Sequence, residues 1–229
     1  MKRSVVLLSG GLDSTVNLYL AAQKSQVLQV LTFDYGQKAR TKELQSASKL
    51  CQKLNIPHQV ISLSFFSQIG GSSLTDHSQV IPTGKDVSID DMAVSQKTAK
   101  SVWVPNRNGI FLNIAAGFAE SLKADWVIPG FNIEEAATFP DNSKNFLNAL
   151  DHSFSFSTAN QVVTQCFTTD LNKTEIVQLG IKLGVDWGLM WPCYHENEKW
   201  CGQCESCQRS KRAFRQAQVD ASGWFNEWN

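Results

Sequence analysis

The stretch LLSGGLDST, residues 7–15, follows an apolar run and precedes a helical pattern. Gly10 and Gly11 let the backbone approach an anion closely and take positive φ, so that successive N–H groups point at one ligand. The N-terminus of the following helix adds a dipole that favours negative charge. The spacing matches neither G-x-G-x-x-G nor G-x-x-x-x-G-K-[ST]. The glycine pair therefore predicts a phosphate-binding turn of another class, with an ordinary loop as the alternative.

Charge and composition exclude several classes of protein. The 21 Lys and Arg residues balance 21 Asp and Glu residues, so the chain has no excess positive charge to attract nucleic acid. The apolar run from Val5 to Leu8 is too short for a signal peptide or a membrane span. We therefore expect a cytoplasmic protein without a nucleic-acid or membrane partner. Basic residues near the C-terminus predict the solvent-facing side of a helix: Arg209, Lys211, Arg212 and Arg215.

Apolar runs alternate with helical patterns along most of the chain. Such alternation predicts an α/β fold with a doubly wound, Rossmann-like parallel sheet of about five strands. Asn172 and Glu175 form a capping box for one helix, which Gly184 ends. Strands are predicted over residues 4–8, 27–33, 59–63, 126–129 and 161–167, and helices from residue 14, over 41–54, 107–123 and 144–160, and after Asn172.

The alternation also suggests how the chain is divided. Residues 1–185 are expected to form one domain, and residues 186–229 a C-terminal segment that ends in a helix. Residues 64–106 interrupt the pattern, because they are rich in Ser, Thr, Asp and Gly and show only scattered periodicity. We expect an inserted polar loop there, either a lid or a partly ordered segment.

Four of the six cysteines lie within fifteen residues, in the pattern C-x7-C-x2-C-x2-C. Four thiolates can complete a tetrahedral Zn²⁺ shell, so His195 is not needed as a ligand. A redox C-x-x-C pair and free thiols are the alternatives, but a redox pair leaves two cysteines unexplained. Cys51 and Cys166 are predicted to pack in the core. The predicted zinc ligands are Cys193, Cys201, Cys204 and Cys207.

The string SGGLDS, residues 9–14, resembles the pyrophosphate-binding loop of the N-type ATP pyrophosphatases, which adenylate a substrate and release pyrophosphate. Further motifs resemble the 7-cyano-7-deazaguanine synthases (the QueC-like family): TFDYGQKARTKEL, VPNRNGIFL, GFN, NKTEIVQLGIKLG and MWPCY with CGQCESC. The resemblance runs from residue 4 to about residue 215. It implies an adenine nucleotide alpha hydrolase-like topology, with residues 1–185 as the nucleotide-binding domain.

The resemblance also implies a reaction and its participants. An ATP-dependent carbon–nitrogen ligase of this family turns 7-carboxy-7-deazaguanine and ammonia into 7-cyano-7-deazaguanine, through an adenylated carboxylate and then an adenylated amide. ATP, Mg²⁺ and Zn²⁺ are the implied cofactors, with Asp13 as a candidate Mg²⁺ ligand. The implied catalytic residues are Asp13, Ser14, Arg107 and Lys173, with an exposed arginine and an exposed lysine as the alternatives for the last two. The implied ATP contacts are Leu8, Ser9, Gly10, Gly11, Leu12, Asp13, Ser14, Thr15, Phe33 and Tyr35, and the implied substrate contacts are Asn132, Phe139 and Asp141.

The chain departs from the family pattern on the substrate side. Glu135 stands where the family has Asp, Phe139 where it has Tyr, and Asn142 and Ser143 where it has Cys and Arg. A different carboxylic acid, or tRNA, is therefore an alternative substrate, and a non-enzymatic zinc-containing regulator is a third hypothesis. The aromatic tail suggests a homodimer interface, since exposed aromatic residues often mark contacts: Trp224, Phe225 and Trp228.

Overall fold

The sheet of the computed structural model, which describes residues 1–228, is built from five strands. These are β1 (Arg3–Leu7), β2 (Gln26–Asp34), β3 (His58–Ser62), β4 (Trp126–Ile128) and β5 (Val163–Thr164). All neighbours pair in parallel, in the order β3-β2-β1-β4-β5. The predicted parallel sheet of about five strands is confirmed.

Helices cover both faces of the sheet, because neighbouring strand residues point to opposite sides. Val5 packs in one hydrophobic cluster and Val6 in the other, and both are fully buried. The helices are α1 (Leu12–Lys24), α2 (Arg40–Leu54), α3 (Phe66–Ile69), α4 (Met92–Val102), α5 (Arg107–Ser121), α6 (Ile133–Ala136), α7 (Lys144–Ser157), α8 (Lys173–Leu183) and α9 (Glu205–Gln216). The cluster that contains Val5 lies against α5 and α7, and the cluster that contains Val6 lies against α1, α2, α8 and α9.

The order of the strands fixes where a ligand binds. From β1 the chain moves to β2 and β3 on one side, and β4 then returns to pair with β1 on the other. The loops that follow β1 and β4 therefore diverge at the carboxyl end of the sheet. Ligands of doubly wound sheets bind in the crevice at such a point.

The segment 64–106 differs from the expected polar loop, because it contains α3 and α4. Asp91 caps α4, and its carboxylate accepts hydrogen bonds from the backbone N–H groups of Ala93 and Val94. The buried face of α4 carries Ser95, Thr98, Ala99 and Val102. This face is small and half polar, so it gives no hydrophobic period in the sequence.

The C-terminal segment packs onto the helices of the sheet. Phe214 of α9 is fully buried in the same hydrophobic cluster as α1 and α8. Trp200 forms a parallel β-bridge to Phe225, which is 3% exposed. Phe225 thus fills the chain's own core, and Trp224 and Trp228 are half-buried against it, so these aromatic residues give little support to the predicted homodimer interface. No helix within residues 1–228 combines the length and apolarity needed to cross a membrane.

The basic run near the C-terminus also differs from its prediction. Arg209 is 5% exposed, because it lies among carboxylates between α9 and the loop after β4. Arg215 does face solvent, as predicted for the whole run. Burial of one arginine in a charged run leaves no trace in the local pattern, since its partners come from elsewhere in the chain.

Candidate active site

The glycine turn sits at the carboxyl end of β1, directly before α1. Gly10 has φ +82°, which L side chains rarely adopt, and an added Cβ would lie against Ser46. The hydroxyls of Ser9 and Ser14 lie 3.1 Å apart, and the Gly11 N–H donates to Ser9 Oγ at 3.3 Å. Gly11 caps α1 without a side chain, so the first N–H groups of the helix remain available to an anion.

The loop after β4 lies directly on the first turn of α1. A Cβ on Gly130 would collide with the backbone N and Cα of Ser14, so only glycine allows this approach. The two loops at the switch point are therefore in van der Waals contact and form one wall. The motif GFN includes Gly130, but the sequence alone does not show that contact with the Ser14 backbone requires a glycine at this position.

Lys173, the first residue of α8, points its ammonium at this wall. Its Nζ lies 2.7 Å from Asp13 Oδ2 and 2.8 Å from Glu135 Oε1, with 3% of its side chain exposed. Burial alone lowers the pKa of Lys173, but the charges of Asp13 and Glu135 outweigh it and raise this pKa above its usual value. Lys173 is therefore a permanent buried cation beside the glycine turn.

One of the two carboxylate oxygens of Asp13 has no partner among residues 1–228. Oδ1 is buried and has no hydrogen-bond partner among residues 1–228, whereas Oδ2 binds Lys173. Buried polar atoms are rarely left unpaired. A carboxylate oxygen is a ligand that Mg²⁺ prefers, so the orphan oxygen fits the implied metal.

Arg107 and an aromatic group form the opposite side. Asn106 takes a left-handed conformation with φ +53°, which starts α5 and places Arg107 at its first position. Arg107 Nη1 donates to the hydroxyl of Tyr35 at 3.2 Å. Phe33 stacks on Phe111 with ring centroids 4.1 Å apart. The end of β2 thus supplies a flat apolar surface next to a guanidinium group.

A cavity of about 220 Å³ joins these groups. It is also lined by Leu74 and Val102 from the segment 64–106, and by Trp191 and Tyr194 from the cysteine segment. Residues predicted from the sequence that line it are Leu8, Ser9, Gly11, Leu12, Asp13, Ser14, Phe33, Tyr35, Arg107, Phe139 and Lys173. Predicted residues outside the described lining are Gly10, Thr15, Asn132 and Asp141.

The three residues predicted to contact the substrate occupy different positions relative to the cavity. Asn132 is fully buried and caps α6, where its Oδ1 accepts from the Glu135 N–H at 2.9 Å. Phe139 lines the cavity and lies parallel to Trp103, with centroids 6.2 Å apart. Asp141 is half-buried, and burial raises its pKa while the charge of Arg107 lowers it. The structure therefore brings Phe139 into the cavity and places Asn132 behind it.

Glu43 and Gln37 were not predicted, yet both line the cavity. Gln37 Nε2 donates to Glu43 Oε2 at 2.9 Å and to the Phe33 carbonyl at 3.0 Å. Burial raises the pKa of Glu43 to about 7, against the lowering effects of Gln37 and Arg107. Acidic residues are common in the first turn of a helix, so the sequence offered no signal that set Glu43 apart.

The four predicted cysteines converge in the C-terminal segment. Their sulfur atoms all lie within 4.8 Å of one another. Backbone N–H groups of His195 and Cys201 donate to Cys193 Sγ, and those of Gln203 and Cys204 donate to Cys201 Sγ, at 3.3 to 3.4 Å. Tetrahedral zinc thiolates at ~2.3 Å from the metal place sulfurs ~3.8 Å apart, and N–H donors stabilise the charged sulfurs. The four-cysteine cluster fits a structural metal.

Comparison with known proteins agrees with this geometry. The family model "Queuosine biosynthesis protein QueC" matches residues 3–218. A 7-cyano-7-deazaguanine synthase from Bdellovibrio bacteriovorus is 55% identical over 227 residues, covering 99% of this chain and 98% of the relative. Another, from Carboxydothermus hydrogenoformans, is 48% identical over 213 residues, or 93% of this chain and 98% of the relative.

A solved structure supports the fold. The NMN synthetase from Francisella tularensis aligns with a TM-score of 0.50 at 17% identity, over 95% of this chain and 78% of that one. Since the family model spans nearly the whole chain and the relatives match from end to end, the resemblance predicted from the sequence is confirmed. The chain belongs to the queuosine biosynthesis protein QueC family, whose curated members include 7-cyano-7-deazaguanine synthases.

Proposed function

We propose that this protein is an ATP-dependent ligase that converts 7-carboxy-7-deazaguanine and ammonia into 7-cyano-7-deazaguanine. The observation that carries the proposal is the buried Lys173, held by Asp13 and Glu135 beside the glycine turn and in one cavity with Arg107. A fixed cation beside helix N–H groups is suited to a departing pyrophosphate. The names of the relatives supply the product, and the acid is the one that the family resemblance implies.

The first half of the proposed reaction makes an amide. A carboxylate oxygen of the substrate attacks the α-phosphorus of ATP, and the bond to the β-phosphate oxygen breaks with release of pyrophosphate. Ammonia then attacks the carbonyl carbon, loses a proton, and AMP leaves with the oxygen. N–H groups of residues 9–14 take the β- and γ-phosphates, and Lys173 neutralises the charge that grows on pyrophosphate. Positioning and charge stabilisation are sufficient for such chemistry.

The second half of the proposed reaction makes the nitrile through a second adenylation. The amide oxygen attacks the α-phosphorus of a second ATP, pyrophosphate leaves again, and the nitrogen releases one of its two protons. Loss of AMP, with the remaining proton on nitrogen, then forms the carbon–nitrogen triple bond. Arg107 is the proposed clamp for the carboxylate or the α-phosphate, since its planar fork matches either group. The aromatic surface of Phe33 and Tyr35 is proposed to hold the adenosine, and Phe139 to stack on the deazaguanine ring.

Two metals complete the proposal. Asp13 would hold Mg²⁺ through its orphan oxygen, and the ion would supply positive charge to the phosphates. The four-cysteine cluster would hold Zn²⁺, which would fix the fold of the C-terminal segment. Trp191 and Tyr194 of that segment line the cavity, so this fold also shapes the site.

ATP–pyrophosphate exchange tests the function. We expect exchange of labelled pyrophosphate into ATP with 7-carboxy-7-deazaguanine, but not with tRNA or without an acceptor. AMP and pyrophosphate are the expected products, and ADP with phosphate would contradict the adenylation. Exchange that depends on tRNA or on another acid would reassign the substrate on the same fold. Asp13→Asn should abolish exchange, while the exposed Asp170→Asn, which removes the pair with Lys144, should not.

A further inference from the structure

A buried ionic network lies behind Lys173, outside the cavity lining. Arg209 of α9 donates from Nη2 to Glu205 Oε1 at 2.8 Å and from Nε to the same oxygen at 3.2 Å. Its Nη1 lies 3.5 Å from Glu134 Oε2, and its Nη2 also donates to Ser95 Oγ at 3.3 Å. The side chains of Arg209 and Glu205 are 6% and 4% exposed. We call these four residues the Arg209 network.

Glu134 connects the network to the start of α8. Its Oε1 accepts a hydrogen bond from the backbone N–H of Lys173 at 2.9 Å, while its Oε2 faces Arg209 and Arg212. The next residue, Glu135, binds Lys173 Nζ. The main chain and the side chain of Lys173 are thus both held by consecutive residues of α6.

The other end of the network begins in the four-cysteine cluster. Cys204 caps α9, and Glu205 is its first residue. Arg209 follows Glu205 by one helical turn and so shares its face. Thr98 of α4 donates to the second oxygen of Glu205 at 3.2 Å. The network therefore joins the cysteine segment, the segment 64–106 and the loop after β4.

We propose that Arg209 is a positioning residue for Lys173, and that through Glu134 it couples the fold of the four-cysteine segment to binding at the phosphate site. This inference rests on the proposed role of Lys173 toward the phosphates of ATP. A guanidinium fork serves Glu205, Glu134 and Ser95 at once, which a lysine ammonium on a flexible stem does not reproduce. Without that fork, Glu134 keeps its link to the first N–H of α8 and its ion pair with Arg212, but it loses the buried guanidinium that ties it to Glu205 and Ser95.

Two variants separate positioning from simple support of the fold. Arg209→Lys keeps the charge and loses the fork. Glu134→Gln keeps an acceptor for the Lys173 N–H and loses the attraction to Arg209. Arg215→Gln, on the exposed side of the same helix, is the matched control. For each, isothermal titration calorimetry with ATP gives Kd and stoichiometry, and metal content and Tm are measured beside it.

The expected result is a change in affinity, not in the amount of competent protein. Arg209→Lys and Glu134→Gln should each raise Kd and KM for ATP about tenfold, because a ~1 Å misplacement of a binding group is enough for losses of this order. Stoichiometry and metal content should stay at the wild-type values, and Arg215→Gln, which removes only the contacts with Trp228, should match wild type in Kd, KM, stoichiometry and metal content. The variant that combines Arg209→Lys with Glu134→Gln should bind ATP no more weakly than the weaker-binding single variant, since both substitutions disrupt the same contact between Arg209 and Glu134.

Two outcomes overturn the coupling. One is an unchanged Kd for ATP in both variants, and the other is a lower stoichiometry at unchanged Kd, which is what a merely structural role gives. Lys173→Met tests the underlying role separately. If Lys173→Met leaves Kd and turnover intact, the proposed role of Lys173 fails; if it abolishes both while Arg209→Lys and Glu134→Gln do not alter Kd, only the coupling fails.

Discussion

Glu43→Gln should make the protein more stable in alkaline solution. Burial, opposed by Gln37 and Arg107 and aided by the charge of Glu196, raises the pKa of Glu43 from the usual 4.5 to about 7. The folded state therefore holds a proton that the unfolded chain has already released. Glutamine has nearly the same shape, can still accept from Gln37 through its carbonyl oxygen, and does not titrate.

The sign and size follow from linkage. The contribution of Glu43 to the free energy of unfolding is unaffected below pH 4.5, falls as pH rises from 4.5 to about 7, and stays low above that value. At 1.36 kcal/mol per pH unit, the wild type loses at most about 3 kcal/mol to this group. Because Glu43 lines the cavity, solvent that enters it would screen the charge, so the measured effect should be smaller than this limit.

Denaturant unfolding at several pH values measures the effect. The difference in the free energy of unfolding between Glu43→Gln and wild type should be near zero at pH 4.5 and should grow to about 1–3 kcal/mol at pH 8. Glu198→Gln, in an exposed loop, is the control. A constant difference across this range would refute the reasoning, as would a variant less stable than wild type at pH 8.

Four further outcomes are expected. Freshly purified protein should contain about one zinc per chain by elemental analysis, and a chelator should unfold the C-terminal segment by circular dichroism, since such sites contribute about 10–16 kcal/mol in peptides. Asp13→Asn should abolish turnover and lower the free energy of unfolding by roughly 1–3 kcal/mol in urea melts, because buried Lys173 loses a charged partner. Gly130→Ala should weaken ATP binding in calorimetry, because its Cβ pushes the Ser14 backbone away, and Phe139→Ala should raise KM for the acid about tenfold without raising KM for ATP.

Local signals in the sequence were sufficient to place the glycine turn and the cysteine cluster. A glycine turn between a buried strand and a helix, and closely spaced cysteines, each determine their own geometry within a few residues. The sheet could also be predicted, because parallel strands buried on both faces are nearly continuous apolar runs. The fifth strand was predicted over 161–167, but the structure pairs only Val163–Thr164.

What the sequence could not predict depends on partners far apart in the chain. Lys173 and Asp13 are 160 positions apart, so an ordinary first-turn lysine and a buried cation have the same local pattern. Arg209 looked like part of a solvated basic face for the same reason. The α4 helix was missed because its buried face is made of Ser95, Thr98 and Ala99 in place of large apolar residues.

The closing of the core by α9 and the aromatic tail has a consequence for biosynthesis. Phe214 of α9 lies about two hundred residues after β1 in the chain, yet both elements belong to the hydrophobic cluster that contains α1 and α8. During synthesis, the apolar residues of this cluster therefore lack α9 until residue 214 has been made. The glycine turn can form early, whereas the Arg209 network behind Lys173 needs α9, so we expect a chain truncated before α9 to expose apolar surface and to bind chaperones.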